Sequence, residues 1–423
     1  MKQSTVKFLA AATVIVAVGA MAASKWRASG TQASMADEPV LPVLQDRVND
    51  VNSVVIESKD GAITLTRGGD GWVLAEKDGY TANGAKVREL ILALRDARVI
   101  EEKTANQERF DRLGLDDPGA ADSTSKRVTM KAEGGDTIAS LLIGDQRVAK
   151  GGPAPAANPN VTPGEQYYLH PEGDGPALLA TGELRIDARP VGWIDQQLLD
   201  IGPDRIQGAR VTHPNGAVIE AARAEMSDTE LELIGIPEGM QPKEPSGTRP
   251  FLDALARLRF DDVQKADSLT WDAAEVTTAE LFTEHGLVAK VESMEVQNDS
   301  PNLDPEGNPL PGQTQVWARF SFEMVNATTE LVIKEREDPA GDSPEGEATP
   351  SDPAPSEAEQ AKELADLQKS TRGWAYALPS WKTSGFRLKE DEVFEPIPEP
   401  ELPPEFQPAA DNPATILDDT KDN

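Results

Sequence analysis

Chemistry at a protein site starts with a general base or a metal ligand, and histidine is the commonest choice for both. This chain of 423 residues has three histidines and no cysteine. His170 and His213 each precede proline and His285 precedes glycine, so all three are expected in exposed turns. No two of them have the i, i+4 spacing that sets a pair of metal ligands on one helix face. The lack of cysteine removes disulfides, thiol nucleophiles, iron–sulfur clusters and cysteine-based zinc sites together.

The oxygen-based motifs fail one by one. Asn302-Leu-Asp304-Pro-Glu306-Gly307 offers alternate oxygen ligands before a glycine, as a calcium loop does, but Gln313 stands where the closing bidentate glutamate belongs. Four prolines between Pro301 and Pro311 make it a surface excursion instead. Gly79-Tyr-Thr-Ala-Asn-Gly84 has the opening spacing of a phosphate loop, yet Ala85-Lys86-Val87 follows where the cradle requires Lys and then Ser or Thr. A Gly-x-Ser-x-Gly elbow is missing. Paired carboxylates cannot be read from spacing when 73 acids are available. These readings give no catalytic residue, no metal and no cofactor, and the chain is expected not to be an enzyme.

Contact chemistry remains. Of seven tryptophans, Trp72, Trp193, Trp317, Trp374 and Trp381 fall on regular elements, where large aromatics serve either cores or interface hot spots. Trp381 and Lys382, following a Pro-Ser turn, are expected to face a partner, with Trp374 and Tyr376 on the neighbouring strand completing the candidate contact set.

The elements that position these residues follow from hydrophobic period. Ser53–Glu57, Ala62–Thr66 and Gly71–Ala75 are short β-branched runs parted by Lys59-Asp60-Gly61 and Gly68-Gly69-Asp70, a meander of antiparallel strands. Val87, Leu90, Ile91 and Leu94 recur at helical spacing after Asn83, a good N-cap. Strands are expected at Arg127–Lys131, Ile138–Ile143 and Gln166–Leu169, and a helix at Pro176–Leu184. From about Arg205 the order restarts: strands at Ala209–Thr212, Ala217–Ala221 and Leu231–Ile234, then a helix opened by Thr248 and Pro250 and carrying Phe251, Leu252, Leu255 and Leu258. At an offset of 161 residues the two helical regions match Arg88 to Arg249, Ala93 to Ala254, Leu94 to Leu255, Arg98 to Arg259 and Ala105 to Ala266. The expected fold class is α+β: two tandem similar units, each a set of antiparallel strands plus a covering helix, over residues 49–201 and 202–389.

The net charge of −32 is unevenly spread. Residues 337–363 hold nine acids and one lysine, and residues 390–423 hold eleven acids and one lysine. Both are expected to be disordered, the first as an acidic insertion in the second unit and the second as a proline-rich tail. No concentrated basic patch appears, so nucleic acid is not an expected partner. At the other end, Lys2 and Lys7 precede the uncharged run Phe8–Ala23. Residues 1–24 therefore have the layout of a signal peptide or a minimal membrane anchor, and residues 25–48 that of a polar tether. The bulk of the chain is expected to be exported.

Many short motifs are shared with one bacterial family. Trp72-Val-Leu, the helix Val87–Leu94, Leu113-Gly-Leu-Asp-Asp-Pro118, Ile143-Gly-Asp145, Tyr167-Tyr168, Trp193–Ile201 and Asp204-Arg-Ile206 resemble the family called domain of unknown function 4340. Leu255–Val263 and Trp374-Ala-Tyr-Ala-Leu-Pro-Ser-Trp381 extend the likeness over roughly residues 50–388. The resemblance implies a membrane-tethered envelope protein with no assigned catalytic residues, often encoded beside ABC-2 type transporter and gliding-motility-type auxiliary proteins. The function it implies is a non-catalytic accessory or scaffold subunit. Such a subunit is inner-membrane-associated with its bulk in the periplasm of a Gram-negative bacterium, and its protein partner is an ABC-2 type permease or a gliding-motility-type auxiliary subunit. A second reading is a periplasmic module binding a glycan or peptide in a cleft between the repeats. A third is a hydrolase working through two carboxylates.

Overall fold

The computed structural model describes residues 37–147, 165–223, 230–297, 314–325 and 355–398. The expected leader, half of the tether, the calcium-like segment and the greater part of the tail lie outside the described residues. The architecture is mixed α and β, with mostly antiparallel sheets and few helices. Two compact units divide it: residues up to Gln197 together with Asp261–Ser268, and Leu198–Phe260 together with the residues from Leu269 on.

In the first unit, a short helix α1 (Val43–Arg47) precedes the meander β1 (Val51–Ser58), β2 (Gly61–Gly68), β3 (Gly71–Leu74) and β4 (Tyr80–Thr81). Helix α2 (Gly84–Asp96) and strands β5 (Arg98–Glu102), β6 (Lys126–Ala132), β7 (Thr137–Arg147), β8 (Gln166–Pro171) and β9 (Leu178–Thr181) follow. Across the sheet the order is β4-β3-β2-β1-β6-β7-β8-β9-β5, every pairing antiparallel. Alternation decides which face is covered: Val54, Ile56, Ile63, Leu65, Val128 and Met130 are buried while their neighbours are partly exposed. Helix α2 buries Val87, Leu90, Ile91 and Leu94, as its period requires, and Asn83 caps it by accepting from the Lys86 amide at 3.0 Å. Each such side chain stabilises the fold by about 1.5–3 kcal/mol relative to exposure.

The expected helix at Pro176–Leu184 is in fact strand β9. Leu178, Leu179 and Ala180 are all buried, so the strand is covered on both faces and shows no alternation by which period could tell it from a helix.

In the second unit the chain continues with β10 (Gln197–Leu199), β11 (Ile206–Thr212), β12 (Val218–Ala222), β13 (Glu232–Ile234), β14 (Met240–Pro242), helix α3 (Arg249–Asp253), β15 (Leu258–Arg259) and β16 (Asp262–Lys265), the last counted with the first unit. Then come β17 (Thr277–Thr283), β18 (Leu287–Gln297), β19 (Thr314–Met324), α4 (Glu357–Thr371), β20 (Trp374–Leu378), α5 (Ser380–Arg387), α6 (Glu390–Val393) and β21 (Phe394–Pro396). Seven strands of this unit's sheet run β13-β12-β11-β17-β18-β19-β20, all antiparallel. β10 pairs with β15, and β14 with β21.

Three expectations change here. Helix α3 stops at Asp253, and Leu258 belongs to a strand. Thr248 does not cap it, because the hydroxyl donates to the Leu231 carbonyl at 2.8 Å. The expected disordered insertion gives way at its carboxyl end to α4, opened by a full capping box between Ser356 and Glu359. Arg205 grips Glu363 of that helix through two hydrogen bonds of 2.7 and 3.2 Å, and Gln368 donates to the Phe322 carbonyl. Finally, the first residues of the expected tail are ordered, because Val393 and Phe394 are buried and β21 pairs with β14.

Two glycines of the shared motifs owe their identity to backbone crowding. Gly114 is left-handed (φ 64°) after a turn of 3₁₀ helix, with Asp145 Oδ1 only 2.5 Å from where a Cβ would sit. A Cβ on Gly144 would run into the carbonyl oxygens of Leu113 and Gly114. Gly144→Ala is therefore expected to destabilise the first unit by about 1–3 kcal/mol, since the obstacles are backbone atoms. Urea denaturation followed by circular dichroism measures it.

Candidate functional site

The four candidate contact residues part company. Trp381, near the start of α5, has 68% of its surface exposed, the largest exposure among the exposed large apolar side chains described. Lys382 beside it is buried, and its ammonium donates to the carbonyls of Asp253 and Ala256 at 2.6 Å each. Those carbonyls lie where α3 stops, so the lysine takes the place of the helical amides that would otherwise satisfy them. Desolvation holds the Lys382 amine below the ordinary lysine range, with Arg257 adding to the shift and Asp253 opposing it. Its Nζ also sits 5.4 Å from the centre of the Trp381 ring, within cation–π range.

Tyr376 is a core residue. It is fully buried, its hydroxyl donates to the Ser370 carbonyl at 2.9 Å, and its ring packs on Phe260 and Phe320. Trp374, at the start of β20, is half-buried. The expectation that all four face a partner is thus corrected for Tyr376 and Lys382. Strand β20 is covered on both faces from Ala375 to Leu378, which takes Tyr376 into the core, and the carbonyls at the end of a short helix draw in Lys382.

Around Trp381 the surface forms a groove of about 580 Å³ between α3 and α5. Arg249, Asp253, Arg257 and Ser384 line it, with Arg249 paired to Asp253 at 3.0 Å. Arg257 is exposed and holds a positive φ of 43°, with its amide donating to Asp200 Oδ1. The groove is fixed from below: Gly385 lies so near α3 that a Cβ there would be 2.5 Å from the Pro250 carbonyl and 2.7 Å from the Ala254 Cβ. Phe386 is fully buried. An exposed indole on a rigid two-helix seat, edged with guanidinium groups, can do one thing well, which is to bury itself against another surface.

Of the three histidines, which their proline and glycine neighbours place in exposed turns, His285 alone is both exposed and in a turn. His170 is in β8, edge-on to Phe110 at 4.8 Å, with its Nδ1 buried. His213 Nε2 meets the Leu388 carbonyl at 2.8 Å. His285 does sit in a tight turn, at φ 65° beside Glu284. No group of three or more His, Cys, Asp or Glu side chains among the described residues could hold a metal ion.

The first unit carries a second ordered cluster that sequence reading missed. Trp193 is fully buried, and its indole N–H donates to the Asp187 carbonyl at 3.0 Å. The Asn83 amide donates to the Trp193 carbonyl, and Lys86 reaches from α2 to the Gly192 carbonyl while its ammonium lies 5.2 Å from the indole centre. Burial pushes the Asp187 carboxyl upward, but hydrogen bonds from Arg189 outweigh it and hold the group below the usual carboxylate range. Lys86, dismissed as a phosphate-loop lysine, is a structural tie between the start of α2 and the end of the unit.

Tyr167, one of the paired motif tyrosines, has its phenol pushed up to about 12 by burial and by the Glu165 carboxylate that it donates to at 2.6 Å. The raised value means that its contribution to stability is whole below about pH 10 and is lost as pH rises through 12. Ultraviolet titration of the four tyrosines is expected to show one ionising near pH 12, and Tyr167→Phe to remove that step.

Residues 72–153 match the family model described as Domain of unknown function (DUF4340). The match begins at Trp72 and takes in α2, Gly114, Gly144 and Asp145, the crowded turn described above. No curated protein and no solved structure is detectably similar to the chain. Through residues 72–153 the chain carries a domain of the DUF4340 family.

Proposed function

We propose that this protein is a non-catalytic envelope protein. It acts as an accessory or scaffold subunit on the periplasmic side of an ABC-type transporter or envelope-assembly complex, through protein contacts. The observation that carries the reading is Trp381: an indole 68% exposed, seated on a helix whose lysine and glycine are locked against α3. Keeping an aromatic of that size in water, on a support with little freedom to hide it, favours burial against a partner. The export-like amino terminus supports the compartment. Among the described residues no helix is long and apolar enough to cross a membrane, so attachment in this proposal rests on the run Phe8–Ala23 or on the partner.

The finer architecture belongs to the same proposal: the two units are copies of one. Strand order supports this, because β3-β2-β1-β6-β7-β8-β9 and β13-β12-β11-β17-β18-β19-β20 are one sequence of elements written twice. Both copies also break register at one place. β1 slips against β6 between Val51 and Ser53, and β11 slips against β17 between Ile206 and Gly208, 155 residues on. Duplication in a scaffold multiplies contact surfaces without requiring a catalytic site.

Affinity purification of the full chain from solubilised membranes is expected to recover an ABC-type permease or its auxiliary subunit. Trp381→Ala is expected to weaken that recovery by roughly 30-fold in affinity, the scale of a hot-spot tryptophan, with the circular dichroism spectrum unchanged. Recovery of neither component from wild-type membranes refutes the proposal.

A further inference from the structure

Helix α2 leaves one face at the surface. Arg88, Glu89, Leu92, Ala93 and Asp96 line a groove of about 470 Å³ there, walled on the far side by Gly182 and Glu183 just after β9. At the offset of 161 residues these five positions become Arg249, Pro250, Asp253, Ala254 and Arg257, and all five line the groove under Trp381 in the second unit. The same helix face is thus a surface feature in both units, with different cover. In the second unit the chain leaving β20 turns at once into α5, which settles on Pro250 and Ala254 through Gly385. In the first unit the chain leaving β9 runs through Gly182 to Ala188 without regular structure, and Leu92 and Ala93 stay partly exposed.

We infer that the α2 face of the first unit is a docking site for a partner's short amphipathic helix. That helix has glycine at its closest approach and a basic edge. The inference rests on the duplication proposed above. The molecule itself shows which shape fits, because α5 fills the equivalent face and requires a residue without a side chain where it meets Ala254. The counterpart of Ala254 is Ala93, equally small, so an incoming backbone can approach α2 as closely. Charge selects the basic edge. Glu89 and Glu183 border the groove from opposite walls and Asp96 adds a third carboxylate, already bonded to Arg95, against Arg88 as the one cation lining this groove. A second cavity of about 790 Å³ shares Ala85, Glu89 and Glu183 with the first and lengthens the trough along α2; its far end adds Lys86, bonded to the Gly192 carbonyl, with Arg185 and Asp187, so the acidic stretch is the part between Glu89, Glu183 and Asp96.

The absence of cysteine makes the test clean, since one introduced thiol is the only one to label. Full-length Glu183→Cys protein, carrying an environment-sensitive fluorophore, is titrated with a synthetic peptide of residues 379–389, the segment that covers the equivalent face. A saturable signal is expected. It should weaken at least tenfold with Ala93→Trp, which fills the groove, and several-fold with Glu89→Lys, and it should vanish when the peptide carries leucine in place of Gly385. Circular dichroism checks that Ala93→Trp remains folded. A parallel arm opens the second unit with Gly385→Trp, or with Phe386→Ala if the tryptophan prevents folding, and labels Arg249→Cys. Peptide binding only to the opened second unit overturns the docking site while leaving the duplication standing, and binding to neither overturns both. Self-association of labelled protein that disappears with Ala93→Trp also overturns it, since the occupant is then a second copy of this chain.

Discussion

The constraint on which this structure depends is the cost of ending a helix early inside a packed unit. Helix α3 has barely more than one turn, so the carbonyls of its last residue Asp253 and of Ala256 just beyond it have no further helical turn to supply their amides. A buried carbonyl without a donor costs about 1–3 kcal/mol, so something must reach it. Lys382 does, with one ammonium shared between two carbonyls, and that requirement fixes α5 in place and leaves Trp381 beside it facing water. The lysine is largely buried, and desolvation holds its pKa below the ordinary lysine range while Asp253 and Asp200 oppose the shift. The exposed indole is then a consequence of the cap as much as a feature of its own.

The first unit meets the same requirement differently. Its helix runs on to Asp96, so the carbonyl of Leu92, the counterpart of Asp253, lies inside the helix. At the carboxyl end, Gln45 from α1 donates to the Arg95 carbonyl at 2.6 Å. No covering helix is needed to satisfy the backbone, and none follows β9. With no cysteine in the chain, each unit is held by such ties and by the buried stripe alone. Such ties recur along the chain: Asn83 and Lys86 at the head of α2, Arg205 to Glu363 within α4, and Arg387 at the end of α5 to the Ser293 carbonyl and Glu295.

Much of the scaffold was legible from the residues, for stated reasons. Period and β-branched composition identified β1–β3, β6–β8, β11–β13 and the stripe on α2; the alternation is clearest in β1, β2, β3 and β6, and α2 buries a single stripe. Period had nothing to grip in β9, which is dry on both faces, or in α4, whose sequence Glu357–Thr371 is so polar that composition alone reads it as disordered. The signal for α4 was nonetheless present in Ser356 and Glu359, a capping box that overrides composition once the helix has Arg205 and the Phe322 carbonyl to lean on.

At the candidate site, sequence separated Trp381 as the exposed aromatic but grouped it with neighbours that face inward. Adjacent residues on a helix point about 100° apart, so Trp381 and Lys382 could not both present to one surface. Tyr376 falls on a strand position where Ala375, Ala377 and Leu378 are also buried, so both strand faces are dry and no residue in that run was available for contact. The glycines carry a similar lesson. Gly114, Gly144 and Gly385 look alike in a sequence, yet the first is set by a left-handed turn and the other two by atoms brought in from elsewhere in the chain. Close approach is a property of pairs, and a single sequence displays only one member at a time. A duplicated chain displays two solutions, so comparing Ala93 with Ala254 recovers part of what a lone unit conceals: which small residues serve backbone contact, and which of those contacts are still to be made.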